Sequence, residues 1–397
     1  MPKSILQVAV DLPYPPNDGG RLDVWNRLIA MKKLGHHVHL LIMQPTTALD
    51  ADAFEHVTRN VDRLQIVPRL PLLQSLLSIA PTLAKRNTPL KHFQLSGPFD
   101  LVIAESEHVA SVFDNPAVAG ATHVLRMHND EAAYMLSLAQ SEHRIWKRLF
   151  FHFESIRYRR YAPAVWSTAD RIWAISTKEY QNLISTQIDM KSKLRWLPPT
   201  LLPTHGEIAR NPAPGSVLFV GNLRGPINQD ALCWYLDHVH PHLLDQPDYH
   251  LIVAGNTTSR GRTDTRLDIV DRIKHTERCT LFADLPSLSH LYAQSSVFIN
   301  PMQRGAGVKL KTVEAAAAGI PIVSTSVGND GTGLLPSQHI RIADSGKEFV
   351  STIEELLSDS ATAEMMAVAA SDFATNFYSP NALQTLITDA TYLYNAA

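Results

Sequence analysis

The sequence has few cysteines, almost no net charge and no long apolar run, and each shortage excludes a class of protein. Its two cysteines, Cys233 and Cys279, have no ligand-like spacing, so we predict that both are reduced core residues. A net charge of −2 leaves no basic surplus to neutralise the phosphates of a nucleic acid. No uninterrupted run of about 18 apolar residues is present, so we expect no spanning helix.

The N-terminal residues also lack the features of a secretory signal. The apolar run Ile5–Val10 is too short for one and fits a first strand instead. We therefore expect a cytoplasmic location, with peripheral contact at the inner membrane face as an alternative. The chain contains no His/Cys cluster typical of a metal site and no Gly-x-Ser-x-Gly or catalytic Cys/His arrangement.

Short apolar runs alternate with helical patterns along the whole chain, which indicates the α/β class, with parallel sheets covered by helices on both faces. The predicted strands are Ile5–Val10, His37–Ile42, Leu64–Val67, Leu101–Ala104, His123–Met127 and Arg171–Ile175, then Val217–Val220, His250–Ala254, Thr280–Phe282, Val297–Asn300 and Ile322–Ser324. Proline and glycine crowd residues 203–215, which predicts a linker. We predict Rossmann-like domains over residues 1–205 and 206–378, followed by a helical segment over 379–397.

The most informative segment runs from Asn300 to Val323. It predicts a buried strand, a loop with Gly305 and Gly307, a helix that begins near Val308, and a second buried strand. Glycines at a strand-to-helix junction let the backbone approach a ligand closely, and the free N–H groups of the first helical turn favour an anion such as a diphosphate. Glu314 then follows within the helix, where its carboxylate could accept hydrogen bonds from ribose hydroxyls.

This segment resembles the donor-nucleotide signature of GT-B glycosyltransferases, in particular family 4, which reads Glu, seven residues, Glu, Ala, small residues, Gly, x, Pro and an apolar strand. The resemblance assigns the ribose contact to Glu314. The first family glutamate, which approaches the donor sugar and its diphosphate, is absent because Ala306 stands in its place. An alternative for Glu314 is a surface carboxylate paired with Lys311.

The resemblance extends over nearly the full length and implies the GT-B architecture, in which two Rossmann-like domains with parallel sheets face a central cleft. The first domain would be the acceptor side and the second would bind the nucleotide sugar. The helical segment 379–397 would cross back onto the first domain.

In the first half, Gly19 and Gly20 stand between a strand and a helix, where the family places a loop against the donor diphosphate. A simple turn is the alternative. His128 directly follows a strand at the carboxyl edge of the sheet, where ligands of α/β proteins bind. The family carries a histidine here that approaches the donor sugar, so we predict a catalytic role for His128. The neighbouring Asn129 can cap the next helix.

In the second half, Gly221 follows a strand, and Asn228 is a natural N-cap for the next helix. The family often places an arginine and a lysine in this loop to grip the diphosphate. Asn222 replaces the first of them here, so we assign donor binding to Gly221 and Arg224.

The missing cations are expected from the loop and helix after Asn300. We predict that Lys309 reaches a phosphate held by the N–H groups of Leu310 and Lys311, with Gly307 allowing close approach. Lys309 is therefore predicted to be catalytic. Lys311 is predicted to pair with Glu314 or with solvent, and Arg304 competes for the role of Lys309.

Residues 144–160 are basic and aromatic, and residues 70–93 are apolar with scattered cations. Either stretch could rest on a membrane surface. We favour the simpler interpretation that the aromatic side chains face the core and the arginines are solvated.

The sequence thus predicts a glycosyltransferase that moves a sugar from a nucleotide-diphosphate sugar to a hydroxyl of a saccharide or lipid-linked acceptor. The family retains anomeric configuration and serves glycan, polysaccharide or glycolipid synthesis. Two alternatives are a catalytically silent GT-B protein that binds a nucleotide sugar or a partner, and a GT-B sugar-nucleotide epimerase.

We predict that transfer requires no cofactor and no divalent metal. The Asp50-Ala-Asp52 triplet matches the metal-binding DxD motif of the other glycosyltransferase fold, but it opens a surface helix instead of following a strand beside the nucleotide. Transfer should therefore persist in excess EDTA, measured as nucleotide release. Loss of activity that manganese restores would contradict this prediction and would indicate that Asp50 and Asp52 bind a metal ion.

Overall fold

The computed structural model divides the chain into two compact units. Unit 1 comprises Met1–Leu202 and Pro380–Ala397, and unit 2 comprises Pro203–Ser379. The structure describes residues 1–16, 19–45, 50–142, 144–186, 190–202, 209–257, 268–285, 287–305 and 307–392. Ala306 and the first part of the predicted linker, residues 203–208, lie outside these ranges.

Unit 1 is built on a parallel 7-stranded sheet in the order β3-β2-β1-β4-β5-β6-β7. Its strands are β1 Ser4–Ala9, β2 His37–Met43, β3 Arg63–Val67, β4 Leu101–Ala104, β5 Thr122–Met127, β6 Arg171–Ala174 and β7 Leu194–Trp196. In the middle of the sheet, Gln7 of β1 lies between Leu40 of β2 and Ile103 of β4. Alternate residues of β1 belong to two different core clusters, so both faces of the sheet are covered.

The helices of unit 1 surround this sheet. They are α1 Gly19–Lys33, α2 Ala51–Arg59, α3 Leu72–Leu76, α4 Thr82–Arg86, α5 Glu131–Ser141, α6 Ile145–Thr168, α7 Thr177–Thr186 and, at the end of the chain, α16 Pro380–Tyr392. Helix α16 buries Leu383 and Ile387 in the same cluster as Ile5. The Thr122 hydroxyl of β5 also donates to the Ala390 carbonyl at 3.1 Å, which fixes α16 to this unit.

Unit 2 is built on a parallel 6-stranded sheet in the order β10-β9-β8-β11-β12-β13. Its strands are β8 Ser216–Val220, β9 His250–Gly255, β10 Cys279–Ala283, β11 Val297–Asn300, β12 Ile322–Ser324 and β13 Arg341–Ile342. Its helices are α8 Pro226–His238, α9 His240–Leu243, α10 Asp268–His275, α11 Ser289–Gln294, α12 Leu310–Ala317, α13 Ser326–Asn329, α14 Gly346–Ser358 and α15 Ser360–Phe377.

The two sheets confirm the predicted α/β class. The predicted strands are all present, and their ends agree with the structure to within two residues. Strands β7 and β13 were not predicted, because each is a short edge strand without an apolar run of its own. Within the described residues, none of the helices combines the length and the apolar character needed to cross a bilayer.

Each sheet has one place where the strand order reverses, between β1 and β4 in unit 1 and between β8 and β11 in unit 2. The chain leaves these neighbouring strands in opposite directions, which opens a crevice at their carboxyl ends. Ligands of open α/β sheets bind in such crevices. The loops after β1, β4, β8 and β11 are therefore the places to examine for a site.

The predicted helix caps were partly wrong. Asp50 does cap α2, accepting from the backbone N–H of Asp52 at 3.0 Å. Helix α5, however, is capped by Asp130 and not by Asn129, with Asp130 accepting from the Ala133 N–H at 2.9 Å. Helix α8 begins at Pro226 with Gly225 as the capping residue, so Asn228 lies inside its first turn.

The prediction that the aromatic residues of α6 face the core was also wrong for two of them. Trp146 is 65% exposed and Phe153 is 59% exposed, whereas Tyr158 is buried. The helix packs through its middle, where Glu154 accepts from the Thr82 backbone N–H at 2.8 Å. Its N-terminal turns, in which these two residues lie, therefore carry apolar side chains on the surface.

Candidate active site

The loop after β8 is closed over Gly221 by the side chain of Asn228. The Asn228 amide donates to the Asn222 carbonyl at 3.1 Å. A Cβ atom at Gly221 would lie 3.1 Å from the Asn228 side chain, which is tighter than most real contacts. Glycine at position 221 therefore leaves room for the asparagine side chain to lie across the turn.

Lys311 of α12 reaches this same loop. Its Nζ donates to Asn228 Oδ1 at 2.6 Å and lies 5.0 Å from the centroid of the Phe219 ring. Burial, and then the charge of Lys309, lowers the pKa of Lys311 to about 7. The prediction that Lys311 pairs with Glu314 or with solvent was therefore wrong, because its hydrogen bond goes to an amide on a different loop.

The loop after β11 contains two glycines with left-handed backbone, Gly305 with φ of 142° and Gly307 with φ of 73°. L side chains rarely adopt these angles, so glycine is required at both positions. The Lys309 ammonium folds back on this loop and donates to the Gly307 carbonyl at 2.7 Å, and the side chain is only 4% exposed. Two lysines thus approach the glycine loops of unit 2, Lys309 from the cap position of α12 and Lys311 from its first turn.

Helix α12 begins at Leu310, two residues later than predicted. The Leu310 N–H, predicted to hold a phosphate, donates instead to the Val308 carbonyl at 3.1 Å. Thr312 holds the start of the helix in place through two hydrogen bonds. Its hydroxyl accepts from the Asn300 amide at 2.8 Å and donates to the Gly328 carbonyl at 3.0 Å. These bonds tie α12 to the end of β11.

Glu314 lies one turn into α12 and is half-buried. Burial, and then the charge of Glu314, raises the pKa of the Tyr292 phenol on α11. The two arginines that compete for a diphosphate are placed less favourably. Arg224 is exposed, and Arg304 forms an ion pair with Asp230 of α8.

Unit 1 contains a buried charge cluster, which we define as Asp23 and Arg27 of α1, Glu105 after β4, and Arg126 and His128 at the end of β5. Arg27 bridges the two carboxylates, with Nη1 2.9 Å from Asp23 and Nε 3.2 Å from Glu105. Arg126 approaches Asp23 at 3.0 Å. Burial alone would raise the pKa of Asp23, but Arg126 and Arg27 together hold it well below its usual range.

His128 is held by this cluster. Its Nε2 hydrogen-bonds to Glu105 Oε2 at 3.1 Å, and its Nδ1 lies 3.4 Å from Asp23 Oδ2. The ring therefore sits at the carboxyl edge of the sheet, as predicted from its place after the strand, but both nitrogens face carboxylates of its own unit. The role in contacting a donor sugar stays a prediction.

Ligand atoms of Asp23, Glu105 and His128 lie within 4.8 Å of one another, a spacing that would suit a metal ion. The same carboxylates already accept from two buried guanidinium groups, those of Arg27 and Arg126. A dication would add to these positive charges in a buried space. The donor set therefore fits an internal ion-pair network better than a metal centre.

Gly19 and Gly20 form the first turn of α1 and are both exposed. The adjacent Arg21 pairs with Asp11 at 2.6 Å. The charge cluster itself was missed by the sequence analysis. The available signal was Asp23 and Arg27 at i and i+4 within an otherwise apolar helix face, a spacing at which opposite charges meet.

The fold and its glycine loops define an α/β protein of two Rossmann-like units with a cationic loop region in the second. A sequence profile described as "Glycosyl transferases group 1" matches residues 214–359, which include all of these loops of unit 2. An uncharacterized 44.6 kDa protein in the cps region of Klebsiella pneumoniae is 31% identical over 349 residues, covering 86% of this chain and 87% of that protein.

Solved structures of other proteins are similar in fold to this chain over nearly its whole length. Sucrose-phosphate synthase from Thermosynechococcus elongatus has a TM-score of 0.69 at 14% identity and covers 100% of both chains. Anabaena Alr3699/HepE in complex with UDP has a TM-score of 0.65 at 14% identity, covering 97% of this chain and 98% of that one. The chain belongs to the group 1 glycosyltransferases and has the GT-B fold.

We predict that Asp23→Asn lowers the free energy of unfolding of unit 1 by about 3–5 kcal/mol at pH 7, the usual result of breaking a buried ion pair from one side. The depressed pKa of Asp23 contributes stability above its unfolded pKa of about 4, and this contribution is lost as the pH falls below that value. The difference between wild type and variant should therefore shrink in acid.

The measurement is urea unfolding followed by circular dichroism between pH 7 and pH 3. Asp11→Asn is the matched control, because Asp11 forms a half-exposed pair with Arg21 and should change stability by less than about 1 kcal/mol. Equal losses in the two variants, or an Asp23→Asn loss that does not vary with pH, would contradict the prediction.

Proposed function

We propose that unit 2 binds the diphosphate of a nucleotide-diphosphate sugar with Lys311 and Lys309, and that the chain transfers the sugar with retention to a hydroxyl acceptor. The observation that carries the proposal is the placement of the Lys311 ammonium, 2.6 Å from Asn228 Oδ1 and next to the loop at Gly221. An ammonium beside a glycine turn and a helix start is suited to a diphosphate.

The remaining roles follow from this position. Glu314, one turn further along α12, would accept from the ribose hydroxyls. Lys309 would stabilise the charge that develops on the leaving diphosphate. In unit 1, the buried cluster would hold His128 in a fixed orientation, so that it hydrogen-bonds to the donor sugar.

The chemistry proposed for the transfer needs no protein base. The bond between the anomeric carbon and the diphosphate oxygen breaks, and the acceptor oxygen bonds to the same carbon on the same face. The acceptor hydroxyl gives its proton to the departing diphosphate. Charge stabilisation and exclusion of water are then the main tasks of the protein. A saccharide or lipid-linked acceptor fits the family.

We predict that binding of a nucleoside diphosphate takes up a proton at Lys311. Its pKa is about 7 in the free protein, and a nearby diphosphate favours the charged form and raises that pKa. Uptake should be largest between the free and bound pKa values, and should disappear below about pH 6, where the ammonium is already formed. Titration calorimetry with UDP, GDP and ADP in buffers of different ionisation enthalpy measures it.

Lys311→Met removes the charge and retains much of the side chain's shape. The variant should lose the uptake and bind the preferred nucleotide about ten- to a hundredfold more weakly, as expected for one hydrogen bond to a charged group. Lys347→Met, an exposed lysine of α14, is the control and should change neither quantity. Unchanged nucleotide affinity in Lys311→Met, with a large loss of affinity in Arg224→Met, would contradict the proposal and assign the diphosphate contact to Arg224.

We also propose that unit 1 rests on an anionic membrane surface through the N-terminal turns of α6. Trp146, Leu149 and Phe153 lie at i, i+3 and i+7 on this helix, and all are more than half exposed. Arg144 and Arg148 flank them on the surface. This combination of apolar and basic side chains matches the boundary of an anionic bilayer.

A second apolar segment lies next to this helix. Leu73 in α3 and Leu77 just after it are largely exposed. The segment is tied to α6 because Arg157 Nη2 donates to the Leu76 carbonyl at 2.7 Å. Contact with a bilayer would cover both stretches and bring the enzyme to a lipid-linked acceptor.

We expect the protein to float with vesicles of phosphatidylcholine and phosphatidylglycerol in a density gradient, and Trp146→Glu/Phe153→Glu to remain at the bottom. Met365→Glu/Val368→Glu, which replaces two exposed apolar residues of α15 in unit 2, should float like the wild type. Absence of wild-type flotation, or equal loss in both double variants, would refute the membrane contact.

A further inference from the structure

Unit 1 contains a pocket between α5 and α6 to which no role has been assigned above. The pocket has a volume of about 330 Å³, and Glu107, Glu131, Tyr158, Pro163 and Trp166 contribute to its wall. Small-molecule sites occupy roughly 300–1,000 Å³, so this space suits one compact ligand.

The pocket lies at the ligand-binding edge of the sheet. Glu107 comes shortly after β4, and Glu131 begins α5 shortly after β5. These strands are neighbours, and their carboxyl ends bring the two carboxyl groups to one side of the unit. Each side chain is more than nine-tenths buried.

Glu107 has an unsatisfied oxygen in this pocket. Its Oε1 accepts from the Trp166 indole N–H at 3.1 Å. Its Oε2 is fully buried, and within the described part of the chain no hydrogen-bond donor reaches it. A buried polar atom left without a partner costs about 1–3 kcal/mol, so a ligand that bonds to this oxygen would recover that energy.

Both carboxyl groups have raised pKa values. Burial, and then the charge of Glu131, raises the pKa of Glu107 to about 8, and burial raises the pKa of Glu131 to about 7. Near neutral pH these groups are partly protonated, so they donate as well as accept hydrogen bonds. A neutral ligand with hydroxyl groups matches that behaviour better than a cation, and the opposite charges of Arg159 and Asp130 on the same wall offset each other.

The rest of the wall supports a hydroxylated ligand. Pro163 has no N–H, so the Arg159 carbonyl lacks the donor that residue 163 normally supplies in a helix. Trp166 provides an aromatic ring held in place by its bond to Glu107. Aromatic side chains at binding sites offer an apolar surface beside a polar handle, which suits the mixed surface of a sugar ring.

We infer that this pocket binds one neutral sugar unit of the acceptor, with Glu107 Oε2 hydrogen-bonded to a hydroxyl of that sugar. The inference rests on the proposed function, since it assigns the pocket to the acceptor of that reaction. The assignment names a saccharide as the ligand, as opposed to an amine or a metal ion.

The test uses saturation-transfer NMR with the wild-type protein and a panel of methyl glycosides of glucose, galactose and N-acetylglucosamine, with glucosamine as the cationic probe. Two variants fill the pocket from opposite helices, Ser137→Phe on α5 and Ala162→Leu on α6. Ser185→Phe, an exposed position of α7, is the control. Circular dichroism shows which variants are folded.

We expect at least one neutral glycoside to bind the wild type and the control, and to bind each folded pocket variant at least tenfold more weakly. Binding of glucosamine alone, equal weakening in Ser185→Phe, or no glycoside binding to the wild type would overturn the inference. UDP affinity is measured on the same samples. Glycoside binding without nucleotide binding would refute the proposed function and, with it, the acceptor role of the pocket, whereas nucleotide binding without glycoside binding would refute the pocket assignment alone.

Discussion

The geometry of parallel strand connections decides where this protein has its sites. Each β-strand must be joined to the next by a crossover, and in both sheets the order starts in the middle and grows first to one side and then to the other. The loops after β1 and β4, and after β8 and β11, therefore diverge and leave room at the carboxyl edge. The buried charge cluster of unit 1 and the paired lysines of unit 2 both lie at such an edge, although the residues themselves come from distant parts of the chain.

The buried charges at the carboxyl edges of the two sheets differ in whether they are compensated. In unit 1, Arg27 and Arg126 meet Asp23 and Glu105, so the buried charges largely compensate one another and fix His128. In unit 2, the hydrogen bond of Lys311 goes to a neutral amide. A cluster whose charges already compensate one another is stabilised little by an added ion. A lysine whose hydrogen-bond partner is neutral is stabilised strongly in its charged form by a nearby anion. This contrast is why we place the diphosphate in unit 2.

The strands could be predicted because each central strand of a parallel sheet is buried on both faces and therefore has a continuous run of apolar residues. The edge strands β7 and β13 lack that signal. The start of α8 could have been predicted better, since Pro226 is suited to the first position of a helix and places Asn228 inside the first turn. The contact between Asn228 and Lys311 spans 83 residues, and local pattern cannot reveal it. Exposure of Trp146 was equally hidden, because a buried and a membrane-facing aromatic side chain look the same in sequence.

The position of Lys311 also bears on the absence of the first family glutamate, which alanine replaces at residue 306. A carboxylate close to a buried lysine stabilises the charged form of that lysine before any ligand arrives. Here burial lowers the pKa of Lys311, so forming the ammonium is most favourable when an anion is bound. Each unit of pKa change corresponds to about 1.4 kcal/mol of preference for the charged form. In the proposed mechanism, the diphosphate therefore supplies the negative charge that a protein carboxylate would otherwise provide, and the site discriminates in favour of diphosphates by becoming fully charged only in their presence.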